Sequence, residues 1–330
     1  MMTRERFSSL IGAVVLGLTL FDATGAGAQP RAAGHRISTL EIKILSTMLA
    51  DQHGFGEWGF AALVEVDGKR ILFDTGANED TVLRNLKPLG VDLADVDTVV
   101  LSHNHADHTT GLLTLRRQVM GRSPSALGKV YAGKGIFWPR LDGKGQVDDH
   151  MGRLRKDYEA TGGTVVDVSA PVEILPGVWL TGPVPRVHPE RNWSALGRVR
   201  SNQGDVEDTV PEDMSLVVQT SQGLITLFGC GHAGVINTLD HIRKSIDPAP
   251  VKTVIGGLHL FAADEKTLSW TAGELKRFEV KELVGAHCTG IESVYRLRTL
   301  VGLNRQTCMV GVVGTTYSLA RGIEPGRIAK

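Results

Sequence analysis

Cysteine is scarce in this chain: three in 330 residues, Cys230, Cys288 and Cys308, which excludes a disulfide framework as the source of its stability. Charge of one sign is absent as well. Lys+Arg (36) and Asp+Glu (36) cancel, so no global field draws the protein toward nucleic acid or anionic lipid. Long hydrophobic runs are missing apart from Leu10 to Phe21, well short of the ~20 residues a membrane span needs. No segment repeats at the period of a solenoid, and no Pro/Gly-rich linker divides the chain. What remains is ordinary globular composition, 42% hydrophobic and 22% charged, with length for one large α/β domain or two small ones.

Arg4 and Arg6 precede the apolar run, and Ala23-Thr24-Gly25-Ala26-Gly27-Ala28 follows it. That order reads as an export signal over residues 1–28, cut after Ala28, leaving a single domain over 29–330. The expected location is periplasmic or secreted, with no stable membrane insertion after cleavage.

Strands are expected at Leu40 to Leu49, Gly59 to Val66 and Arg70 to Phe73, with Asp67-Gly68 supplying the positive φ of a hairpin turn. A helix from Glu79 to Lys87 closes at Pro88 and Gly90. Further strands are read at Thr98 to Leu101, Lys129 to Ala132, Thr164 to Val168, Val178 to Thr181, Ser215 to Gln219, Leu224 to Phe228, Thr253 to Ile255, Glu282 to Val284 and Met309 to Val313. Helices are read at Asp148 to Ala160, from Gly234, at Asp264 to Phe278, and around Val294, Leu297 and Val301. Pro183 to Pro211 is long, polar and unpatterned, and reads as a functional or mobile loop. The expected fold class is α/β, one αββα domain with two sheets face to face.

The eleven histidines are not scattered. His103, His105, His108, His232, His259 and His287 all fall in loops directly after expected strands, where open α/β sheets place their sites. In extended chain, side chains two apart project the same way, so His103 and His105 can share one metal. Asp107 and His108 diverge and suit a second cation. Imidazoles with a carboxylate match Zn²⁺, and also Mn²⁺ or Fe²⁺. His35, His53, His150 and His241 have no partner spacing.

The run Ser102-His103-Asn104-His105-Ala106-Asp107-His108 resembles the metal motif of the metallo-β-lactamase superfamily, with Asp74-Thr75-Gly76 similar to its upstream Asp motif. Phe228 to Gly234, Gly256-Gly257-Leu258-His259-Leu260, His287-Cys288-Thr289-Gly290, Pro183 to Arg186 and Glu212 to Leu216 resemble its 7,8-dihydropterin-6-methyl-4-(β-D-ribofuranosyl)aminobenzene-5′-phosphate synthase-like branch. One departure stands out: Thr110 occupies a position where the motif usually continues with Gly.

The resemblance implies the four-layer αββα sandwich and two divalent metal ions. His103, His105 and His232 would hold the first, and Asp107, His108 and His287 the second. Cys230 lies near where a bridging aspartate is common, so it is either a soft ligand or a small packed side chain. Asp74 would fix the ligand loop, and Cys288 would point away from the metals. Asp107 and His259 are the candidate catalytic side chains, with His259 an acid, a hydrogen-bond donor or a ligand-orienting residue. Arg186 is the candidate for an anionic substrate group, and His188 is expected to be solvated. Phe137, Trp138 and Trp193 are read as core before pocket lining.

The implied activity is hydrolysis of a small-molecule substrate by metal-activated hydroxide. A phosphoester or phosphodiester, and a lactone, β-lactam or carboxylic ester, are both open. His105 argues against a di-iron oxidoreductase of this superfamily, and neutral charge argues against a nuclease. A metal-bound ligand sensor without turnover remains the alternative from another class.

Overall fold

A computed structural model describes residues 34–194 and 196–329. The expected export signal and its cleavage point lie outside the described residues.

The strand Ala61–Val66 shows how the layers arise. Ala62 and Val64 project into one hydrophobic cluster, while Ala61 and Leu63 project into another on the opposite face. Side-chain alternation with period two makes this strand a wall between two cores. It belongs to an eight-stranded sheet, in spatial order Gly322–Glu324, Thr316–Ser318, Leu40–Ser46, Ala61–Val66, Lys69–Phe73, Thr98–Leu101, Lys129–Gly133 and Thr164–Val168. The neighbours are antiparallel up to Lys69–Phe73 and parallel beyond it.

A second, seven-stranded sheet runs Cys308–Val310, Glu282–Gly285, Val251–Gly256, Gly223–Phe228, Leu216–Thr220, Val178–Leu180 and Val172–Leu175. Its first four members are parallel, joined by the helices Val235–Ser245, Glu265–Arg277 and Ile291–Val301. The inner faces meet through Ile42, Val64 and Phe73 on one side and Leu216, Leu227 and Ile255 on the other. Val82 and Leu115 cover the outer face of the first sheet, and Leu239, Leu275 and Leu297 that of the second. The architecture is the expected αββα sandwich.

The hairpin forms as read: Asp67 and Gly68 both have positive φ, 44° and 76°. The helix Thr81–Leu89 runs past Pro88 and is capped by Gly90 in the left-handed region.

The segment Pro183 to Pro211 is not uniformly irregular. It contains the hairpin Arg198–Ser201 and Gly204–Glu207, which pairs with Arg140–Leu141 and then Val147–Asp148 in a small third sheet. Both faces of Gly204–Glu207 are exposed, so no apolar alternation betrayed the strand. The helices Ala106–Thr109 and Leu112–Met120 and the strands Val172–Leu175, Thr316–Ser318 and Gly322–Glu324 also lie beyond the sequence reading. Among the described residues no helix is long and apolar enough to cross a membrane.

Candidate metal centre

Parallel strands point their C-terminal ends the same way, and here those ends carry the chemistry. Lys69–Phe73 leads to Asp74, Thr98–Leu101 to Ser102 through His108, and Gly223–Phe228 to Cys230 and His232. Val251–Gly256 leads to His259, and Glu282–Gly285 to His287 and Cys288. Asp74, His259 and His287 take positive φ of 57°, 50° and 46°, strained values for non-glycine residues that the packed loops impose.

Asp74 is fully buried and organises the first ligand loop. Its Oδ1 accepts from the Ser102 amide at 2.8 Å, and its Oδ2 accepts from Ser102 Oγ at 2.7 Å. The same Oδ2 lies 2.7 Å from Nδ1 of His108. Ser102 Oγ, its proton given to Asp74, accepts from Nδ1 of His103 at 2.8 Å. The network puts the proton of both rings on Nδ1 and turns Nε2 toward the site, as ligating imidazoles require. His232 is fixed likewise, its Nδ1 donating to the carbonyl of Asn192. Gly229 permits this crowding, since an added Cβ would sit 2.1 Å from Ser102 Oγ and 2.8 Å from Asp74 Oδ2.

Among the described residues five overlapping donor groups result, and two of them contain no cysteine. One potential ligand atom from each of His103, His105 and His232 lies within 4.8 Å of the others, and the same holds for Asp107, His108 and His287. In the first cluster Nε2 of His103 and of His232 is buried with no hydrogen-bond partner. In the second, Nε2 of His108 and of His287 face each other at 3.3 Å, and Asp107 Oδ2 is 3.2 Å from the latter. Cys230 Sγ, 3.2 Å from His108 Nε2, stands between the clusters and groups with residues of both. Orphaned buried nitrogens and converging nitrogen, oxygen and sulfur donors fit divalent cations of the Zn²⁺ type.

Electrostatics agree in the first cluster. Burial, then the neighbouring imidazoles, hold His103 and His232 well below the usual histidine value. Burial takes His105 down to about 4, outweighing the attraction of Asp107. These rings are neutral at pH 7 and ready to ligate. Burial opposes charge on His108, but Asp74 wins and raises it to about 9. A cation held there would have to displace that proton. Burial works against the Asp107 carboxylate too, yet the hydrogen bond with His287 and the charge of His108 hold it below the ordinary range.

Other positions fall differently from expectation. Cys288 does not point away from the centre: its Sγ is 3.2 Å from Cys230 Sγ, because Gly257 leaves no side chain between their loops. His188 is half-buried, with Nε2 3.5 Å from Asp240. Arg186 donates through Nη1 and Nη2 to the carbonyls of Val184, Thr209 and Val210, tying the long segment to main chain, while its Nε is buried without a partner. Thr110 has φ −63°, in the helical region, so the expected glycine is not needed there. His150, which had no spacing to recommend it, packs behind the ligand loop with Nε2 3.1 Å from the carbonyl of Asn104.

Three features acquire a role only in the fold. Glu212, fully buried, accepts from the Asn104 amide at 3.1 Å and from Arg140 at 2.7 Å. Asp213 accepts from the Ala233 amide beside His232 at 2.8 Å, and burial pushes it up to about 7. These neighbours brace two ligand loops at once. Third, a cavity of about 760 Å³ opens beside the centre between Pro189 to Trp193 and His259 to Thr271. Trp193, Trp270, Arg191 and Lys266 line it, and His259 stands within it with Nδ1 unpartnered. Trp58, half exposed, packs 5.0 Å from the His287 ring and edge-on to Phe261 at 5.7 Å.

Comparison with known proteins identifies the family. The sequence profile of the Metallo-beta-lactamase superfamily matches residues 59–182. The 7,8-dihydropterin-6-methyl-4-(beta-D-ribofuranosyl)-aminobenzene-5′-phosphate synthase of Methanocaldococcus jannaschii is 31% identical over 271 residues, 76% of this chain and 89% of that protein. The crystal structure of Tm1679, a metal-dependent hydrolase of the beta-lactamase superfamily, superposes with a TM-score of 0.69 at 26% identity, covering 84% of this chain and 98% of that one. YhfI from Bacillus subtilis, a metallo-beta-lactamase fold protein, shares the fold with a TM-score of 0.54 at 14% identity over 85% of this chain and 99% of its own. With its αββα layers and its histidine-rich strand ends, the chain belongs to the metallo-β-lactamase superfamily, as a relative of the archaeal dihydropterin synthase.

Proposed function

We propose that the chain is a metal-dependent hydrolase of small anionic esters, a phosphoester or phosphodiester first, working with two divalent cations of which Zn²⁺ suits the donors best. The observation that carries this reading is the pair of unpartnered Nε2 atoms on His103 and His232, grouped with His105 beside a second cluster of Asp107, His108 and His287. Two bound divalent cations supply Lewis acidity and a water acidic enough to attack at neutral pH.

The chain's own residues do the rest. His103, His105 and His232 would hold one cation and Asp107, His108 and His287 the other, with Cys230 grouped with residues of both sets. Asp107, whose Oδ2 lies 3.2 Å from His287 Nε2, would also orient an attacking water. His259, in the cavity wall, donates a proton to the leaving oxygen. Lys266, with Arg191 beside it also paired to Glu207, takes the anionic group, and Trp193 and Trp270 cover the organic part. The phosphate in the archaeal relative's name favours this class over lactones and β-lactams. The basic, apolar and small-residue order of residues 1–28 supports action in the periplasm or outside the cell.

The test is turnover of a chromogenic phosphodiester by the chain reconstituted with Zn²⁺ or Mn²⁺, beside His103→Ala. Metal-dependent turnover that the variant loses supports the reading. A fully metallated chain that cleaves lactones or carboxylic esters and no phosphoester overturns the substrate class. One that binds such compounds without product overturns the enzyme.

A second reading follows from the relative being a synthase. The same centre would then join two substrates, and product analysis with paired substrates against water alone separates the two.

A further inference from the structure

Cys230 and Cys288 come from loops after two strands that are not neighbours, Gly223–Phe228 and Glu282–Gly285, with Val251–Gly256 between them. Their sulfurs nevertheless meet at 3.2 Å, closer than ordinary van der Waals contact of two sulfur atoms. Gly257, at the end of the intervening strand, makes the contact possible: a Cβ there would lie 2.9 Å from Cys288 Sγ and 2.2 Å from the Gly229 carbonyl. Cys288 Sγ also sits 3.5 Å from the Cys230 carbonyl, so the approach is held by main chain as well as by sulfur. Cys308 takes no part, its Sγ resting 3.7 Å from the Val294 carbonyl.

We propose that Cys230 and Cys288 form a reversible redox site, in which a hydroperoxide joins the two sulfurs in a disulfide and thereby withdraws Cys230 from the metal-donor cluster. The step balances. One cysteine sulfur attacks the peroxide oxygen, becomes a sulfenic acid and releases water or an alcohol. The partner sulfur then displaces the hydroxyl as a second water, and the S–S bond forms. Two thiols lose two protons and two electrons, and the peroxide gains both. Closing the bond brings the sulfurs about 1 Å nearer, to about 2.05 Å.

Position gives the bond its consequence. Cys230 shares donor clusters with His103 and His108, with His232 and His259, and with His287 and Cys288. A sulfur in a disulfide has no thiolate charge to offer a cation. Oxidation therefore removes a donor common to three clusters, and a bound cation in turn occupies the sulfur that oxidation needs. This competition rests on the metal-centre reading above; the bond itself does not.

The experiment treats the full chain with hydrogen peroxide, metal-free and zinc-loaded, and reads intact mass, thiols titrated in denaturant, peptide cross-links and zinc content. The metal-free chain is expected to lose two of its three thiols and about 2 Da, in a cross-link between the Cys230 and Cys288 peptides that dithiothreitol reverses. Its zinc affinity then falls on the order of tenfold or more until reduction. Cys308→Ser should behave the same, and Cys288→Ser should give no loss of about 2 Da. Three intact thiols, or oxygen adducts without the cross-link, overturn the proposal. A cross-link forming equally fast in the zinc-loaded chain overturns the competition. A reduced chain that takes up no zinc but still cross-links overturns the metal reading while the redox site stands.

Discussion

Asp74 Oδ2 and His108 Nδ1 are 2.7 Å apart, both side chains fully buried, and the carboxylate serves Ser102 from the same oxygen. This contact aims Nε2 of His108 at the second donor cluster. It also makes one acidic residue, 34 positions upstream, the organiser of the whole ligand loop.

Asp74→Asn should therefore weaken metal binding without removing a donor from either cluster. The amide cannot accept from both the His108 ring and Ser102 while carrying the charge that fixes the tautomer. A loss of about 10–100-fold in affinity is expected, read by chelator competition on the folded chain. Unchanged affinity would mean that Asp74 supports the fold alone.

Arg140 joins the small third sheet to the centre. Its Nε donates to Asp208 at 2.9 Å and its Nη2 to Glu212, which holds the Asn104 amide between His103 and His105. Arg140→Ala strands a fully buried carboxylate, so stability should drop by about 3–5 kcal/mol in denaturant melts. Arg140→Ala with Glu212→Gln should recover part of that loss.

Asp213 offers a pH test of stability in the metal-free chain. Burial raises it from 3.8 to about 7, so between those values the folded chain holds a proton that the unfolded chain has released. That contribution is fully present below about pH 4, declines as pH rises toward 7, and is absent above. Relative to wild type, Asp213→Asn should gain stability from pH 4 to pH 7 and then level off. Parallel stability curves for the two proteins would show that Asp213 ionises normally.

Lys266 and Trp193 test the cavity. Lys266→Glu should raise KM for an anionic substrate about tenfold or more with kcat nearly kept, because the charge lies away from the reacting atoms. Trp193→Ala should raise KM for substrates with a large organic group and leave small ones nearly unaffected. If both changes lower kcat alone, the cavity is not where substrate binds.

Removing the metal with a strong chelator should lower the thermal midpoint, because a cation that binds only the folded chain stabilises it by mass action. Zn²⁺ should restore the midpoint in wild type and fail to do so in a His103→Ala, His232→Ala double variant.

The local part of this protein was written in its sequence. Strands with period-two alternation, turns such as Asp67-Gly68, and the run from His103 to His108 depend on neighbours a few residues away, so spacing reveals them. The layers follow too, since strands apolar on both faces must be covered on both.

Contacts made across the fold had no such signature. Glu212 and Asn104 are 108 residues apart, and Cys230 and Cys288 are 58 apart. The exposed hairpin at Arg198–Ser201 and Gly204–Glu207 carries no apolar pattern to read. Arg186 reads as an anion binder by residue type, and only the fold shows both of its terminal nitrogens turned to main-chain carbonyls. Residue chemistry and short-range period fixed which groups could act. Only the packing of parallel strand ends decided which of them meet, because that depends on how two sheets and their loops close on one another.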